Sequence, residues 1–249
     1  MNVIDKNNLI GKVFNSNNFG NFEIIAYENS KDVTIRFLET GYLTHVQMSN
    51  IRSGEIKDKL APSVFGIGVV GIKYSTKDSI SYKHWQAMLK RCYCKKEHIK
   101  NPTYKDCHVS ENFKSYSYFY EWCNKQVGFG NKDWCLDKDL LIKGNKIYSE
   151  DLCLFLPKEI NLAMPNRKNH RGDYLIGVAF DGQYSKFIAR ISRKSKLEHL
   201  GYFKTEIEAF DCYKSAKERY MQDLALQYKG LIDDRAYQAL INYKVEASD

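Results

Sequence analysis

LIGVAFDGQYSKFIARISRKSKLEHLGYFKTEIEAFDCYKSAKERY, residues 175–220, is the stretch that sets the C-terminal architecture. Residues 175–180, 185–192 and 197–203 are rich in β-branched, aromatic and aliphatic side chains. The turn residues Asp181-Gly182 and the basic loop Arg193-Lys194-Ser195-Lys196 separate them, so the spacing predicts three antiparallel strands. In the second run Phe187, Ala189 and Ile191 fall on one side, and Lys186, Ile188, Arg190 and Ser192 on the other. Thr205 and Glu208 then form a T-x-x-E capping box, and Ala209, Tyr213, Ala216 and Tyr220 recur on one face of the helix it starts. The expectation is a three-stranded antiparallel sheet packed on one helix, with a basic face left uncovered. Arg and Lys on such a face reach guanine edges or phosphates in a major groove.

The charge of the whole chain points the same way. Its 249 residues carry a net +8 with a pI near 8.9, which on a water-soluble composition fits a polyanionic partner and equally fits ordinary solubilising lysines. The distribution narrows the choice. Residues 1–60 are neutral, 61–170 hold 18 basic against 11 acidic groups, 171–204 hold 7 against 3, and 205–249 hold 6 against 9. With 27% charged and 43% hydrophobic residues, the composition is that of a folded globular chain. No apolar run approaches the roughly 18 residues that span a bilayer, and the N-terminus lacks an export pattern, so a cytoplasmic protein with no membrane partner is expected.

Upstream, period-two alternation around Phe22, Ile24 and Ala26 and around Val33, Ile35 and Phe37, with a Thr40-Gly41 turn, predicts a small β unit over residues 1–60 that closes as a barrel. It gathers no titratable cluster and reads as an accessory unit, with a host protein as the partner it could dock. Pro62 and glycines 54, 66, 68 and 71 mark a boundary. Beyond it Tyr82, Trp85, Leu89 and Cys92 recur at helical spacing, with Lys83, Gln86 and Lys90 on the outer side. A second helix is expected over 113–123, where Phe113, Tyr116, Phe119, Tyr120 and Trp122 form a stripe that reads as core.

In their order and spacing, Ile176-Gly177-Val178, Lys186-Phe187 with Ala189 and Ile191, Leu200-Gly201-Tyr202-Phe203, and Thr205, Glu208, Ala209, Tyr213 and Ala216 resemble the plant ethylene-response-factor (Apetala-class) DNA-binding domain. The resemblance implies a sheet that reads the major groove of double-stranded DNA. Carried over position by position, it makes Lys186, Arg190, Ser192 and His199 DNA-contacting residues, and the basic loop adds Arg193, Lys194 and Lys196. Ile176 and Ala179 stand where the plant domains have arginines, and His199 where they have a tryptophan. The base preference of that family therefore does not carry over.

The middle stretch, residues 136–161, reads LDKDLLIKGNKIYSEDLCLFLPKEIN. Its clustered carboxylates near an Asn in a basic segment suit one Mg²⁺ held against a phosphate, and equally suit turns. Asp137, Asn145-Lys146, Asp151-Leu152 and Asn161 fall in the order of the HNH nuclease module found in phage homing endonucleases. This resemblance implies a central α/ββα-metal-like module with Asp137 and Asn161 as metal ligands and Asp137, Lys138 and Asn145 as catalytic residues. The water-activating histidine of those nucleases is Lys138 here. A lysine of ordinary pKa is a poor base near neutrality, and neighbouring aspartates favour its charged form. Both a Mg²⁺-dependent endonuclease and a module that binds DNA without cutting stay open, as does a host-directed inhibitor.

Cys92, Cys94, Cys107, His108, Cys123 and Cys135 offer only C-x-C and C-H pairs, so buried thiols are favoured over structural Zn²⁺. No glycine-rich phosphate loop occurs. The expected protein is α+β in three parts: a β unit at 1–60, a helical and degenerate HNH-like module at 61–170, and an Apetala-type domain with C-terminal helices at 171–249.

Overall fold

The computed structural model describes residues 9–164 and 173–249, and the expected boundary at 170/171 lies outside them. Within these residues the protein is a mixed α+β chain of several small antiparallel sheets, with no closed barrel. It divides into two compact units, Met1–Glu121 and Trp122–Asp249.

The first unit opens with strands β1 (Val13–Ser16), β2 (Gly20–Asn29), β3 (Asp32–Phe37) and β4 (Leu43–Val46), paired antiparallel in sequence order. The alternation seen in the sequence sends Phe22, Ile24, Val33, Ile35 and Phe37 to one face. There they bury against Met48 and Ile51 of helix α1 (Met48–Ser53) and against Ile56. The expected barrel does not form, because the strand order runs β1-β2-β3-β4 with no pairing from β4 back to β1. α1 and the following segment cover the apolar face instead, and four short strands do not reach the closure geometry of a barrel.

A small hairpin, β5 (Pro62–Val64) with β6 (Gly68–Val69), leads to helices α2 (Ile80–Tyr93) and α3 (Lys95–Lys100), a short strand β7 (His108–Val109) and helix α4 (Tyr116–Cys123). Ser79 caps α2 by accepting the Tyr82 amide at 3.3 Å. Trp85, Met88, Leu89 and Cys92 turn inward, and the Trp85 indole donates to the Phe113 carbonyl at 2.7 Å. The aromatic stripe is core: Phe113, Tyr116 and Phe119 are fully buried. Helix α4 starts at Tyr116, and Phe113 sits in the preceding 3-10 turn Asn112–Lys114.

The second unit contains β8 (Trp134–Asp137), β9 (Ile147–Tyr148), β10 (Leu154–Pro157) and α5 (Lys158–Ala163), then β11 (Val178–Asp181), β12 (Lys186–Arg193), β13 (Lys196–Phe203), α6 (Glu206–Gln227) and α7 (Asp234–Ile241). β8 and β10 pair antiparallel, and β11-β12-β13 form an antiparallel sheet whose inner face packs on α6. One hydrophobic core joins these pieces: Leu154, Leu156 and Ile160 share it with Ala189, Ile191, Ala209, Tyr213, Met221 and Leu224. The β8–β10–α5 segment and the C-terminal sheet therefore pack on one core.

The capping box closes as its spacing predicts. Thr205 Oγ1 accepts the Glu208 amide at 3.2 Å, and a Glu208 carboxylate oxygen accepts the Thr205 amide at 3.1 Å. Thr205→Ala removes one of the two reciprocal bonds and is expected to lower unfolding free energy by about 1 kcal/mol, measured by urea denaturation.

Candidate nucleic-acid interface

Directly opposed residues in an antiparallel sheet share a face, so the pairing register defines the surface that α6 leaves uncovered. Asp181 stands opposite Lys186, Ala179 and Tyr202 opposite Ile188, His199 opposite Arg190, and Leu197 opposite Ser192. This open face therefore carries Arg190 and His199 near its middle, with Lys186 at one end and Ser192 toward the other. Among the described residues neither Lys186 nor Arg190 makes an ion pair. The Asp181 carboxylate is engaged by the amides of Gln183 and Tyr184 in the turn that joins β11 to β12.

The face also carries aromatic and apolar groups that the sequence reading missed. Tyr202 is 46% exposed and Tyr184 57%, and their rings lie 5.5 Å apart, with the His199 ring 4.7 Å from Tyr202. Leu197 is 68% exposed. Ile188, in contrast, is buried although it is on this side. The missing signal is an irregularity in β13: Arg190 pairs with His199 and Ala189 with Gly201, so Leu200 is an extra residue. The bulge breaks period-two counting just before Tyr202.

The basic loop is where expectation and structure part. The hairpin turns on only two residues, Lys194 (φ 49°) and Ser195 (φ 62°), so β12 runs through Arg193 and β13 resumes at Lys196. Alternation then places Arg193 on the helix side. Its guanidinium lies 5.5 Å over the Tyr220 ring, donates to the Ala216 carbonyl at 3.4 Å and sits 3.5 Å from a Glu198 carboxylate oxygen. Lys194 reaches Glu159 of α5 at 3.8 Å, and Lys196 stands opposite Arg193 in the register, on that same side. Arg193, Lys194 and Lys196 thus leave the open face, which keeps Lys186, Arg190, Ser192 and His199. Beneath Arg193 the buried Lys217 ammonium donates to the Ala163 carbonyl, the last residue of α5. Burial first, and the nearby Arg193 charge second, push it down to about 8.

The loop after β8 holds the residues assigned to chemistry. Asp137, 6% exposed, accepts the amides of Asp139 (2.9 Å) and Leu140 (2.8 Å) on one carboxylate oxygen. The buried Lys138 ammonium donates to Asp139 at 2.6 Å and to the Asn145 carbonyl, and it lies 5.7 Å from the Tyr148 ring centre. The Asn145 side chain donates back to the carbonyls of Lys138 (2.8 Å) and Ile147 (2.7 Å) and accepts the Ile147 amide at 2.9 Å. These contacts bring Asp137, Lys138 and Asn145 together at one loop and tie each of them to its neighbours there. Asn161 lies half-buried on α5. Among the described residues no group of three or more His, Cys, Asp or Glu side chains converges on one point. The cysteines are free thiols, with Cys92, Cys107, Cys123 and Cys153 buried. Burial pushes the Cys123 and Cys153 thiols far up, which makes them poor thiolate donors. Among the described residues no helix is long and apolar enough to cross a membrane.

Comparison with known protein families, with curated proteins and with solved structures found no match to this chain, so the surface is read from its own geometry.

Proposed function

We propose that the protein binds double-stranded DNA by docking the open face of β11-β12-β13 in the major groove, and that it does so without cutting. The observation that carries this reading is the make-up of the open face. Lys186 and Arg190 stand there beside His199 with no ion pair among the described residues, whereas Arg193 and Lys194 lie against Glu198 and Glu159. Three strands at about 4.8 Å spacing span about 10 Å, which suits a groove about 12 Å wide. Arg190 at the centre has the donor fork that suits a guanine edge, and Lys186 and His199 supply further donors. The resemblance to the Apetala-class domain supports the same docking mode, with Tyr202 and Leu197 adding apolar contact of the kind a thymine methyl takes.

The strand–strand–helix order of β8, β10 and α5 supports descent from an HNH-like, ββα-metal-type module, with Asp137 at the end of the first strand and Asn161 on the helix. The hydrogen bonds of Asp137, Lys138 and Asn145 favour a scaffold over a Mg²⁺-dependent cleavage centre.

The test is a titration of the full chain against randomised and then enriched duplexes, read by gel shift. The Lys186→Ala/Arg190→Ala double variant is expected to weaken binding to the enriched site by about 30- to 1000-fold, from about 2–4 kcal/mol for two base or phosphate contacts. Unchanged binding would remove the docking model. Incubation with Mg²⁺ on the same duplexes is expected to leave them intact. Cleavage that Asp137→Ala abolishes would replace the non-cutting reading with a nuclease.

A further inference from the structure

The first unit carries a second cationic surface, built from helices α2 and α3. Residues 80–105 hold seven Lys or Arg against one acidic residue, Glu97, a net of +6 in a chain whose total is +8. The fold concentrates these charges instead of spreading them. Helix α2 turns Trp85, Met88, Leu89 and Cys92 inward and leaves Lys83 and Lys90 in solvent. Helix α3 buries no side chain at all: Lys95, Lys96 and Lys100 are exposed, and Ile99 is 80% exposed.

A six-residue helix does not persist on its own propensity, so something must hold α3 in place. The contacts that do so are polar. The His98 ring nitrogen Nε2 lies 2.8 Å from the Arg91 carbonyl oxygen, the Asn101 amide donates to the Glu97 carboxylate at 2.8 Å, and Lys90 pairs with Glu97 at 3.1 Å. Asn101 and Lys90 together hold the Glu97 carboxyl below the usual carboxylate range. The only carboxylate of the segment is thereby taken up inside it. Lys95, Lys96, Lys100 and Lys105 make no ion pair among the described residues, and the Arg91 guanidinium lies 5.8 Å over the Tyr104 ring. Lys96 and Lys100 are like charges at i, i+4, an arrangement that works against the helix that carries it. Stability of the fold does not account for this cluster, and a polyanionic partner does.

The chemistry selects the partner. A helix of six residues is about 9 Å long, and 9 Å of duplex axis presents about five phosphate charges; α3 sets three lysines along that length, with Arg91 and Lys105 on the flanking segments. An anionic membrane surface fits poorly, because a helix lying in the headgroup layer needs a continuous apolar face and α3 offers Ile99 alone. We infer that the α2–α3 corner is a second, sequence-independent binding surface for the phosphate backbone of double-stranded DNA. It works apart from the sheet face that reads the groove.

The experiment uses the full chain and a 20-base-pair duplex of random sequence, with the affinity followed by fluorescence anisotropy from 50 to 300 mM salt. Each phosphate contact contributes about 0.9 to the slope of log affinity against log salt, so Lys95→Gln/Lys96→Gln/Lys100→Gln is expected to flatten the slope by about 2 to 3. It should also weaken all duplexes alike, by tenfold or more at 100 mM salt. These side chains are exposed, and unchanged circular dichroism checks that the fold is kept. Ile99→Ser is expected to bind DNA as the wild type does. A triple variant with wild-type affinity and slope overturns the inference. So does binding of the wild type to phosphatidylserine vesicles that Ile99→Ser abolishes while the triple variant keeps its DNA affinity. If Lys186→Ala/Arg190→Ala keeps full affinity while the triple variant loses it, the corner stands and the sheet reading falls.

Discussion

Gly177→Ala is expected to lower the stability of the second unit by about 3 kcal/mol or more. Two causes act together. Gly177 has φ +78°, in the left-handed region, where a side chain costs about 1–2 kcal/mol. A Cβ built there would lie 2.1 Å from Cδ2 and 2.2 Å from Cγ of Tyr213, far inside van der Waals contact. Tyr213 is a buried residue of α6 and a member of the central core, so the ring cannot swing away without opening a void, at about 1–3 kcal/mol. The consequence reaches the candidate interface, because the Gly177 carbonyl accepts the Arg190 amide at 2.8 Å and so places that residue on the open face. Urea denaturation measures the loss. A double-mutant cycle with Tyr213→Ala separates the causes: once the ring is gone, Gly177→Ala should cost only its backbone share, with a coupling of about 2 kcal/mol. A loss below 1 kcal/mol in the wild-type background would mean that the ring and the backbone are not in contact as described.

The same region shows what a sequence conveys and what it hides. Phe187, Ala189 and Ile191 alternate with Lys186, Arg190 and Ser192, and the two faces of β12 follow from that pattern because one face is buried and its register has no freedom. The placement of Arg193 and Lys194 was not legible. A two-residue hairpin with both residues at positive φ usually announces itself as Asn-Gly, and here the turn is Lys194-Ser195, which reads as part of a basic loop. Tyr202 was hidden by the bulge at Leu200, a feature of pairing and not of local composition. The strands of the first unit were legible for the same reason as β12. Their failure to close was not, since closure is a long-range pairing that alternation does not encode.

In the loop after β8 the residue types suggested chemistry, and the backbone gave them another use. Lys138 and Asn145 bond across the loop in both directions, side chain to carbonyl each way, and no spacing rule predicts that reciprocity. The charge cluster of α2 and α3 was half legible: the basic outer side of α2 follows from helical spacing. That α3 forms at all depends on Glu97, Asn101 and His98, each of which looks like an ordinary surface residue in the sequence.

Asp137 gives the second large effect, and its sign separates a structural carboxyl from a metal ligand. Burial pushes this carboxyl up to about 6; the amides of Leu140 and Asp139 and the Lys138 charge offset that only in part, while the neighbouring Asp139 charge adds to it. A carboxyl whose folded pKa lies above its unfolded value near 3.8 keeps its proton longer in the folded state. Its contribution to stability is complete below about pH 4 and is lost as pH rises through about 6, a span worth about 3 kcal/mol. Asp137→Asn keeps an oxygen for the two amides and cannot ionise. It is therefore expected to be more stable than the wild type above pH 7 by up to about 3 kcal/mol, with the difference vanishing toward pH 4. Asp137→Ala leaves two buried amides without an acceptor and should lose about 2–4 kcal/mol near pH 4, a gap to the wild type that narrows by about 3 kcal/mol toward pH 8 because the variant does not titrate at this position. Thermal and urea midpoints of the three proteins between pH 4 and 8 measure both effects. Adding 10 mM Mg²⁺ at pH 8 should leave the gap between the wild type and Asp137→Asn unchanged, because the Asp139 and Leu140 amides already take one carboxylate oxygen of a buried side chain. If Mg²⁺ stabilised the wild type alone, the ionised carboxylate would be binding the metal, and the loop would have to be read as a catalytic centre after all.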